Sequence, residues 1–230
     1  MSQSRVCAVL LAGGSSTRMN LGTTKQKLSL KSKSILAHAL GAFEACPDIT
    51  DIVLVVRNDE IDFAKKESEG SSKLRKIVVG GVSRAESAKN GFFAIDFPTD
   101  FVAIHDVARC LIRPQMITKV VEDAFSYGAA SASATVVDTV KRVNSQGFAV
   151  STEDREALRL ATTPQIFSYD LYFKALSQVD LPDAAITDDN MLMEKIGVSV
   201  YMTDIGKSNI KITHAEDLVM AEYILEKIND

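Results

Sequence analysis

Residues 6–28, VCAVLLAGGSSTRMNLGTTKQKL, join an apolar run to a glycine-rich loop. A short apolar run that stops at glycines is typical of a strand buried on both faces of a parallel sheet. The loop that begins at Gly13 and Gly14 holds more small and hydroxylated residues than a turn requires. The stretch therefore predicts a buried first strand, followed by a loop whose function goes beyond chain reversal.

The composition of this loop favours a phosphate-binding segment. Glycines let the backbone approach a ligand closely, and exposed backbone N–H groups attract anions. Arg18 adds a planar cation that matches phosphate oxygens, and Lys25 adds a mobile point charge. A long surface turn with solvated charges is the alternative interpretation, because a glycine-rich turn after a strand is a weak signal by itself.

Outward from this loop, short apolar runs alternate with segments of helical period. The predicted strands lie at 6–13, 51–56, 75–81, 101–107, 129–137 and 199–204. The predicted helices lie at 34–46, 83–96, 114–128, 168–179 and 187–197, with a polar helix or loop at 61–70 and a closing helix from Thr213. Their predicted end signals are Ser34, Pro114, Gly128 and a capping box of Thr213 with Glu216. Strands separated by helices predict an α/β fold with a mostly parallel sheet and helices on both faces.

One segment breaks this alternation. Residues 138–155, DTVKRVNSQGFAVSTEDR, alternate polar and apolar positions around the turn NSQG, which predicts a β-hairpin that projects from the domain. No internal repeat, low-complexity tract or linker appears, so residues 1–230 are predicted to form a single domain.

The predicted topology also predicts where a ligand binds. In open parallel sheets, ligands gather at the carboxyl ends of the strands. The segments that follow the first, third and fourth strands are GGSSTR, GGVSRAES and HDVAR, and glycine, arginine and acidic residues concentrate there. We therefore expect these three segments to face one crevice.

Bulk composition limits the class of protein. Hydrophobic residues make up 46% of the 230, charged residues 24%, and the net charge is −4, which is typical of a globular protein and disfavours nucleic-acid or membrane-surface partners. The three cysteines lack metal-ligand spacing and predict reduced thiols. The one apolar run that resembles a signal core ends in Gly-Gly, and no run has the length of a membrane helix. We therefore expect a cytoplasmic protein.

Two common phosphate-binding motifs are absent from the opening loop. A Walker loop requires Gly-Lys-Ser/Thr, but Gln26 follows Lys25. The dinucleotide fingerprint requires G-x-G-x-x-G and an acidic residue about 20 positions later, and the chain offers neither. A redox protein of the Rossmann type is therefore disfavoured, and binding of NADH is the observation that would revive it.

The loop and the later motifs together resemble one enzyme family. LAGGSSTRM followed by TKQKL resembles the signature L-A-x-G-x-[GS]-x-R-M … P-K-Q of sugar and polyol-phosphate nucleotidyltransferases. GGVSRAESAKNGF, IHDVAR, DTVKR, TEDR, TTPQIF, ITDDNMLMEKIG and NIKITHAEDLVMAE then follow in the order typical of 2-C-methyl-D-erythritol 4-phosphate cytidylyltransferases. The resemblance extends from about residue 6 to the last helix.

The resemblance implies a fold, a reaction and a cofactor. The fold would be a Rossmann-like nucleotidyltransferase sheet, with residues 138–156 as a projecting β-arm that forms a homodimer. The reaction would transfer CMP from CTP to 2-C-methyl-D-erythritol 4-phosphate in the non-mevalonate isoprenoid pathway, giving 4-diphosphocytidyl-2-C-methyl-D-erythritol and pyrophosphate. The cofactor would be Mg²⁺ or another divalent cation.

The resemblance also implies roles for individual residues. Those implied to be catalytic, through contact with the CTP phosphates, are Arg18, Lys25 and Lys211. Those implied to bind the nucleotide are Ala12, Gly13, Gly14, Gly80, Gly81 and Ser87. Those implied to bind the polyol phosphate are Asp106, Arg109, Thr139, Thr163 and, from the other subunit's arm, Arg155. Asp106 is in addition the implied Mg²⁺ ligand.

The chain departs from the family pattern without losing a charged catalytic group. Thr24 replaces the usual proline before the lysine, so we expect a less rigid loop there. Ser16 replaces a glycine, Val107 and Cys110 stand in HDVARC where H-D-A-A-R-P is typical, and ATTPQ replaces a Q-T-P-Q form. These departures concern loop rigidity and substrate fit more than the type of reaction.

The implied chemistry requires no general base, because the attacking phosphate oxygen is already ionised at neutral pH. His105 is accordingly predicted to be structural. Asp188 and Asp189 follow Thr187 and are predicted to be first-turn acids of a helix, with a second metal pair as the alternative. Asn209 is a weaker candidate for assisting the metal.

Two alternatives for the function remain open at the level of the sequence. One is a cytidylyltransferase for another polyol phosphate, such as ribitol 5-phosphate, which shares these motifs. The other is an inactive module that binds nucleotide, against which the presence of Arg18, Lys25, Asp106 and Lys211 argues. Assays with each polyol phosphate distinguish the first, and nucleotide binding without pyrophosphate release would establish the second.

Overall fold

A computed structural model describes residues 4–14, 24–179 and 185–229 of the chain. In chain order its strands are β1 (Val6–Leu11), β2 (Ser29–Leu30), β3 (Lys33–Ser34), β4 (Asp51–Val56), β5 (Leu74–Val79), β6 (Phe101–Asp106), β7 (Ala129–Thr135), β8 (Lys141–Val143), β9 (Ala149–Thr152), β10 (Arg159–Ser168) and β11 (Tyr201–Asp204). Seven of them form one sheet in the order β11-β7-β10-β6-β1-β4-β5. β10 runs antiparallel to both neighbours and the other pairs are parallel, which confirms the mostly parallel sheet.

Helices cover both faces of this sheet, as predicted. They are α1 (Ile35–Ala45), α2 (Ile61–Glu67), α3 (Arg84–Phe93), α4 (Pro114–Tyr127), α5 (Tyr169–Gln178), α6 (Asn190–Lys195) and α7 (Ala215–Asn229). One hydrophobic core contains residues of α1, α2, α4 and α7, and the other contains residues of α3, α5 and α6. Among the described residues, no helix is both long enough and apolar enough to cross a membrane.

The strand β1 is buried on both sides because it contributes to both cores. Val6, Ala8 and Leu10 belong to one core, and Cys7 and Val9 belong to the other. Successive side chains of a strand point to opposite faces, so a strand between two helical layers needs apolar residues at every position. The continuous apolar run at the start of the chain follows from this position.

Most of the predicted helix ends are confirmed. The Ser34 hydroxyl accepts a hydrogen bond from the Ala37 N–H at 3.0 Å, and α4 ends at Gly128 with φ of 80°. The capping box predicted for Thr213 and Glu216 is wrong. The helix begins two residues later, and the Asp217 carboxylate accepts hydrogen bonds from the backbone N–H groups of residues 213 and 214, each at 2.7 Å.

The predicted hairpin is present as β8 and β9, whose residues are all exposed. The strand that follows it, β10, was not predicted. Pro164 lies where the register of β10 against β7 shifts, between Ala161 and Gln165, and a proline within a run argues against a strand. This irregular stretch also lacks a period of two, so the sequence carried no strand signal there.

Candidate active site

A cavity of about 310 Å³ lies at the ends of β1, β5 and β6. Its lining includes residues from the three segments predicted to converge, together with two distant lysines: Ala12, Gly13, Gly14, Gly81, Arg84, Ser87, Asp106, Lys25 and Lys211. Gly80 lines a second cavity, of about 390 Å³, that shares Gly13, Gly81 and Val82 with the first. The predicted crevice is therefore present. The predictions for Ser16 and Arg18 lie outside the described residues.

The glycine turn after β5 packs tightly around Ser87. The Ser87 hydroxyl accepts a hydrogen bond from the Gly81 N–H at 3.0 Å and donates one to the Ser83 carbonyl at 2.8 Å. A Cβ atom at Gly80 would lie 2.8 Å from the Ser87 oxygen, closer than real Cβ contacts allow. A larger side chain at Gly80 would therefore clash with Ser87, and Ser87 fixes the shape of the cavity wall.

Asp106 is the charged centre of the cavity. Arg84 donates from Nε to Oδ1 at 2.9 Å, and Lys211 donates from Nζ to Oδ2 at 2.6 Å. The Asp106 N–H donates to the Thr163 hydroxyl at 3.0 Å. Burial opposes ionisation of this carboxyl, but the charges of Arg84 and Lys211 outweigh it and hold the pKa of Asp106 well below its usual range. Asp106 is therefore an anion at neutral pH.

Arg84 connects Asp106 to a second buried carboxylate. Its Nη1 donates to Asp189 Oδ2 at 2.7 Å, and the Tyr172 hydroxyl donates to Asp189 Oδ1 at 2.6 Å. Only 1% of Asp189 is exposed. The prediction that Asp188 and Asp189 are first-turn acids is wrong, because α6 begins at Asn190 and both residues precede it. Asp188 accepts a hydrogen bond from the Met191 N–H at 3.2 Å.

Lys25 and Lys211 approach the cavity from two separate segments. Lys25 lies in a 3-10 turn, Lys25–Lys27, and only 9% of its surface is exposed. Its Nζ donates to the carbonyl of Ile212 at 3.4 Å, so it contacts the residue next to Lys211. Two of the three predicted cations therefore meet at one side of the cavity.

Arg109, Thr163 and Asn209 form a polar group beside Asp106. Arg109 donates from Nη1 to the Asn209 carbonyl at 3.0 Å, and Asn209 donates from Nδ2 to the Thr163 carbonyl at 2.9 Å. Thr163 is 4% exposed, so it holds the Asp106 backbone from below the cavity surface. Among the buried side-chain atoms of the described residues, Arg109 Nε and Asn209 Oδ1 have no hydrogen-bond partner.

His105 and Cys110 are buried neighbours of the cavity. The His105 ring lies 4.8 Å from that of Phe43, and burial lowers the pKa of His105 to about 3, so the imidazole is neutral at physiological pH. This state agrees with a structural role. Burial raises the pKa of the Cys110 thiol to about 12, which leaves it protonated at neutral pH.

Thr139 and Arg155 lie on the projecting hairpin, and both are exposed. Arg155 donates from Nη1 to the carbonyl of Val137 at 2.7 Å, which links the two ends of the hairpin. Neither residue lines the cavity of its own chain. The structure therefore places these two predicted substrate residues on the arm and outside the lining that contains Asp106 and Lys211.

The donors in the cavity suit a metal that also binds the substrate. Among the described residues, no three His, Cys, Asp or Glu side chains are grouped as a complete metal site would require. Mg²⁺ is often held by one or two carboxylates together with substrate phosphates and water. Asp106 is an ionised carboxylate in the cavity wall, so it fits the role of a protein ligand to a magnesium–nucleotide complex.

Three of the residues around the cavity were not predicted. Arg84 and Tyr172 were not singled out, and Asp189 was given another role. Arg84 stands within GGVSRAES, a segment already expected at the crevice, so its charge was a usable signal. Tyr172 lies in the middle of an amphipathic helix, and its sequence position offered no signal for a contact with residue 189.

Comparison with known proteins extends over nearly the whole chain. Residues 6–227 match the family model described as 2-C-methyl-D-erythritol 4-phosphate cytidylyltransferase. Curated proteins of that name are similar: the one from Clostridium botulinum (strain Loch Maree / Type A3) is 37% identical over 98% of this chain and 99% of its own length. The one from Clostridium perfringens (strain SM101 / Type A) is 38% identical over 96% and 99%.

Solved structures agree with these matches. The crystal structure of 4-diphosphocytidyl-2C-methyl-D-erythritol synthase from Anaerococcus prevotii has a TM-score of 0.87 and 25% identity, and the match covers 97% of both chains. That of 2-C-methyl-D-erythritol 4-phosphate cytidylyltransferase from Francisella tularensis has a TM-score of 0.79 and 26% identity, with coverage of 96% and 100%.

Proposed function

The chain belongs to the 2-C-methyl-D-erythritol 4-phosphate cytidylyltransferase family, and from this membership we infer that it transfers the cytidylyl group of CTP to 2-C-methyl-D-erythritol 4-phosphate. The products are 4-diphosphocytidyl-2-C-methyl-D-erythritol and pyrophosphate, within the non-mevalonate isoprenoid pathway. The observation that carries this conclusion is the family match over residues 6–227. The cationic cavity around Asp106 supplies the means for the reaction.

The difficulty of this reaction is electrostatic, since a phosphate anion must attack the α-phosphorus of a polyanion. We propose that Lys25 and Lys211 bind the phosphates of CTP and offset the charge that develops there. Arg18 is proposed for the same task. Removal of one preorganised donor of this kind typically lowers turnover by about 10²–10³-fold. The buried position of Lys25 supports the role, because a cation in a partly desolvated cavity acts more strongly than one in water.

We propose that the nucleotide lies along the two glycine turns. Ala12, Gly13 and Gly14 follow β1, and Gly80 and Gly81 follow β5, so backbone N–H groups from both turns border the two connected cavities. Close approach of the backbone is what glycine permits at such a site. Ser87 supports the arrangement through its hydrogen bond from the Gly81 N–H.

We propose Mg²⁺ as the cofactor, with Asp106 as the protein ligand. Bound there, the metal would neutralise phosphate charge and orient the reacting groups. Arg84 and Lys211 hold the two Asp106 oxygens in defined directions, which supports a fixed ligand geometry. Both cations also keep the carboxylate ionised, as a magnesium ligand must be.

We propose that the methylerythritol phosphate is bound at the other side of Asp106. Arg109 and Thr163 lie beside it in the same chain. Thr139 and Arg155 would be supplied by the arm of a second subunit in a homodimer. The exposed apolar side chains on and near the arm support this assembly, because Val143, Phe148 and Val150 are each more than half exposed.

We propose the cytoplasm as the location of the reaction and CTP and the polyol phosphate as the only ligands besides the metal. Both substrates are small, multiply charged phosphates that do not cross membranes unaided. The net charge of −4 supports the expectation that nucleic acid is not a partner.

The decisive experiment is a steady-state assay of the purified protein with CTP, Mg²⁺ and each of two polyol phosphates. We expect pyrophosphate release and a cytidine diphosphate product with 2-C-methyl-D-erythritol 4-phosphate, and a much lower kcat/KM with ribitol 5-phosphate. The opposite preference would reassign the substrate. Binding of CTP without release of pyrophosphate in either case would show an inactive module.

A further inference from the structure

Glu60 is a buried carboxylate that takes no part in the chemistry proposed above. It ends the 3-10 turn Asn58–Glu60 immediately before α2, and 1% of it is exposed. Three side chains of residues 24–27 reach it. The Thr24 hydroxyl donates to Oε1, Gln26 donates from Nε2 to Oε2 at 2.9 Å, and Lys27 Nζ lies 3.7 Å from Oε1. We call these four residues the Glu60 cluster.

Lys25, in the same segment, donates from Nζ to the Ile212 carbonyl at 3.4 Å. The segment forms a 3-10 turn, in which side chains three positions apart lie on the same side. Thr24 and Lys27 therefore face Glu60 together, while Lys25 lines the nucleotide cavity. Glu60 itself does not line that cavity.

Gln26 connects the Glu60 cluster to the glycine turn after β1. The same Nε2 that donates to Glu60 also donates to the carbonyl of Ala12. The Ala12 N–H in turn donates to the Val55 carbonyl of β4 at 2.7 Å. Hydrogen bonds thereby connect Glu60 both to the 3-10 turn that contains Lys25 and to the glycine turn after β1.

We propose that Glu60 is a positioning residue for Lys25: by holding Thr24, Gln26 and Lys27 at once, it fixes the turn from which the Lys25 ammonium reaches the phosphates of the nucleotide. This proposal rests on the proposed function of Lys25. A lysine side chain is long and flexible, so the precision of its charge depends on a fixed backbone. A displacement of about 1 Å in such a site can cost about 10²-fold in rate.

The test is a double-mutant cycle on kcat, measured by pyrophosphate release, with Glu60→Gln and Lys25→Ala. In the native background Glu60→Gln should lower kcat about tenfold or more, because the amide keeps the shape but loses the charge and one acceptor. In the Lys25→Ala background Glu60→Gln should cause no further loss, since there is no ammonium left to position. Equal losses in both backgrounds would overturn the proposal.

The outcome also separates this proposal from the one on which it depends. If Lys25→Ala retains nearly full activity, the role of Lys25 as a phosphate-binding cation fails, and positioning fails with it. If Lys25→Ala is nearly inactive but the effects multiply, only the positioning role of Glu60 fails. The matched control is Glu44→Gln: Glu44 accepts hydrogen bonds from Ser71 and Ser72, and none of the three lines the cavity, so kcat should stay within about twofold.

A second pair of variants covers the case in which Glu60→Gln does not fold. Thr24 has φ of −81° and ψ of 150°, close to the backbone that proline adopts. Thr24→Val removes only the hydroxyl that bonds Glu60 and should lower kcat several-fold. Thr24→Pro fixes the same backbone through its ring and should restore kcat to near the native value. Equal kcat for the valine variant and the native protein would contradict the proposal.

Discussion

At the scale of the residue, the charges around Asp106 form an alternating row. Lys211, Asp106, Arg84 and Asp189 follow one another, and the Tyr172 hydroxyl ends the row. Each buried carboxylate is satisfied by neighbours on two sides, which is the condition under which buried charge is tolerated. Tyr172 and Asp189 therefore help to orient the Asp106 carboxylate indirectly, because they hold the Arg84 side chain that contacts it.

The contribution of the Tyr172 hydroxyl at the end of this row can be tested by removing that hydroxyl group. Tyr172→Phe leaves a buried carboxylate oxygen of Asp189 without its donor, and we expect a loss of about 1–3 kcal/mol in the free energy of unfolding. Urea titration followed by circular dichroism measures it. Tyr169→Phe is the control, because Tyr169 lies on the same helix and packs on the same Phe92 ring. Loss of the Tyr169 hydroxyl should lower the free energy of unfolding much less. Equal costs would contradict the role given to the Tyr172 hydroxyl.

The row also shows what the sequence could and could not predict about the site. Asp106 and Lys211 were implied by motifs, and glycines after strands pointed to the crevice without any motif. The contact between residues 84 and 189 joins the first residue of α3 to the residue before α6, 105 positions later in the chain, and no local spacing encodes it. The same holds for Glu60, whose partners lie 33 to 36 positions away along the chain.

At the scale of the element, the arm at residues 138–156 has a proposed role, the dimer interface, that can be tested directly. β8 and β9 are joined by a short turn in which the Asn144 side chain accepts hydrogen bonds from residues 146 and 148. An isolated two-stranded hairpin is only marginally stable in water. Phe148 and Val150 are exposed on this hairpin, and the homodimer proposed above would cover them.

Deletion of residues 142–150 tests this role of the arm. We expect a monomer with poor activity, because the deletion removes the apolar surface and displaces Thr139 and Arg155. Light scattering gives the mass in solution, and the pyrophosphate assay gives the activity. Val219→Ser, at an exposed apolar position on α7, should leave both unchanged. A deletion variant that remains dimeric would refute the arm as the interface.

The elements themselves were predicted unevenly, for physical reasons. β4 and β6 were predicted within one residue, because strands buried on both faces leave continuous apolar runs. β10 was missed, since it carries Pro164 and changes register in its middle. A strand of that kind is recognised only once its two neighbours supply the hydrogen-bond partners, and these lie far away in the sequence.

At the scale of the whole molecule, we propose that residues 1–230 fold as one unit, because both hydrophobic cores share β1, β4 and β6. Stability should then respond to pH through groups in different layers of the same unit. His105 is buried and neutral, with its pKa lowered to about 3. Partial burial opposes ionisation of Glu44, but hydrogen bonds from Ser71 and Ser72 outweigh it and lower its pKa to about 2.

Both groups make the protein less stable in acid. The unfolded chain protonates histidine below about pH 6.5 and glutamate below about pH 4.3, before the folded groups do, so it binds more protons and is stabilised relative to the folded state. We expect the urea midpoint to fall from about pH 6.5 downwards, with a further decline below about pH 5. Glu44→Gln should flatten only this lower part. A midpoint that rises between pH 6.5 and 4 would contradict the buried neutral state of His105.

The double burial of β1 has a mechanical consequence. Each of its six side chains is enclosed, alternately above and below, so the strand can neither slide nor roll without disrupting a packed layer. The bend at Gly13 and Gly14 therefore follows a strand whose position is fixed by packing on both faces. Any adjustment to an incoming nucleotide is therefore expected in the long cationic side chains rather than in β1 or the bend that follows it.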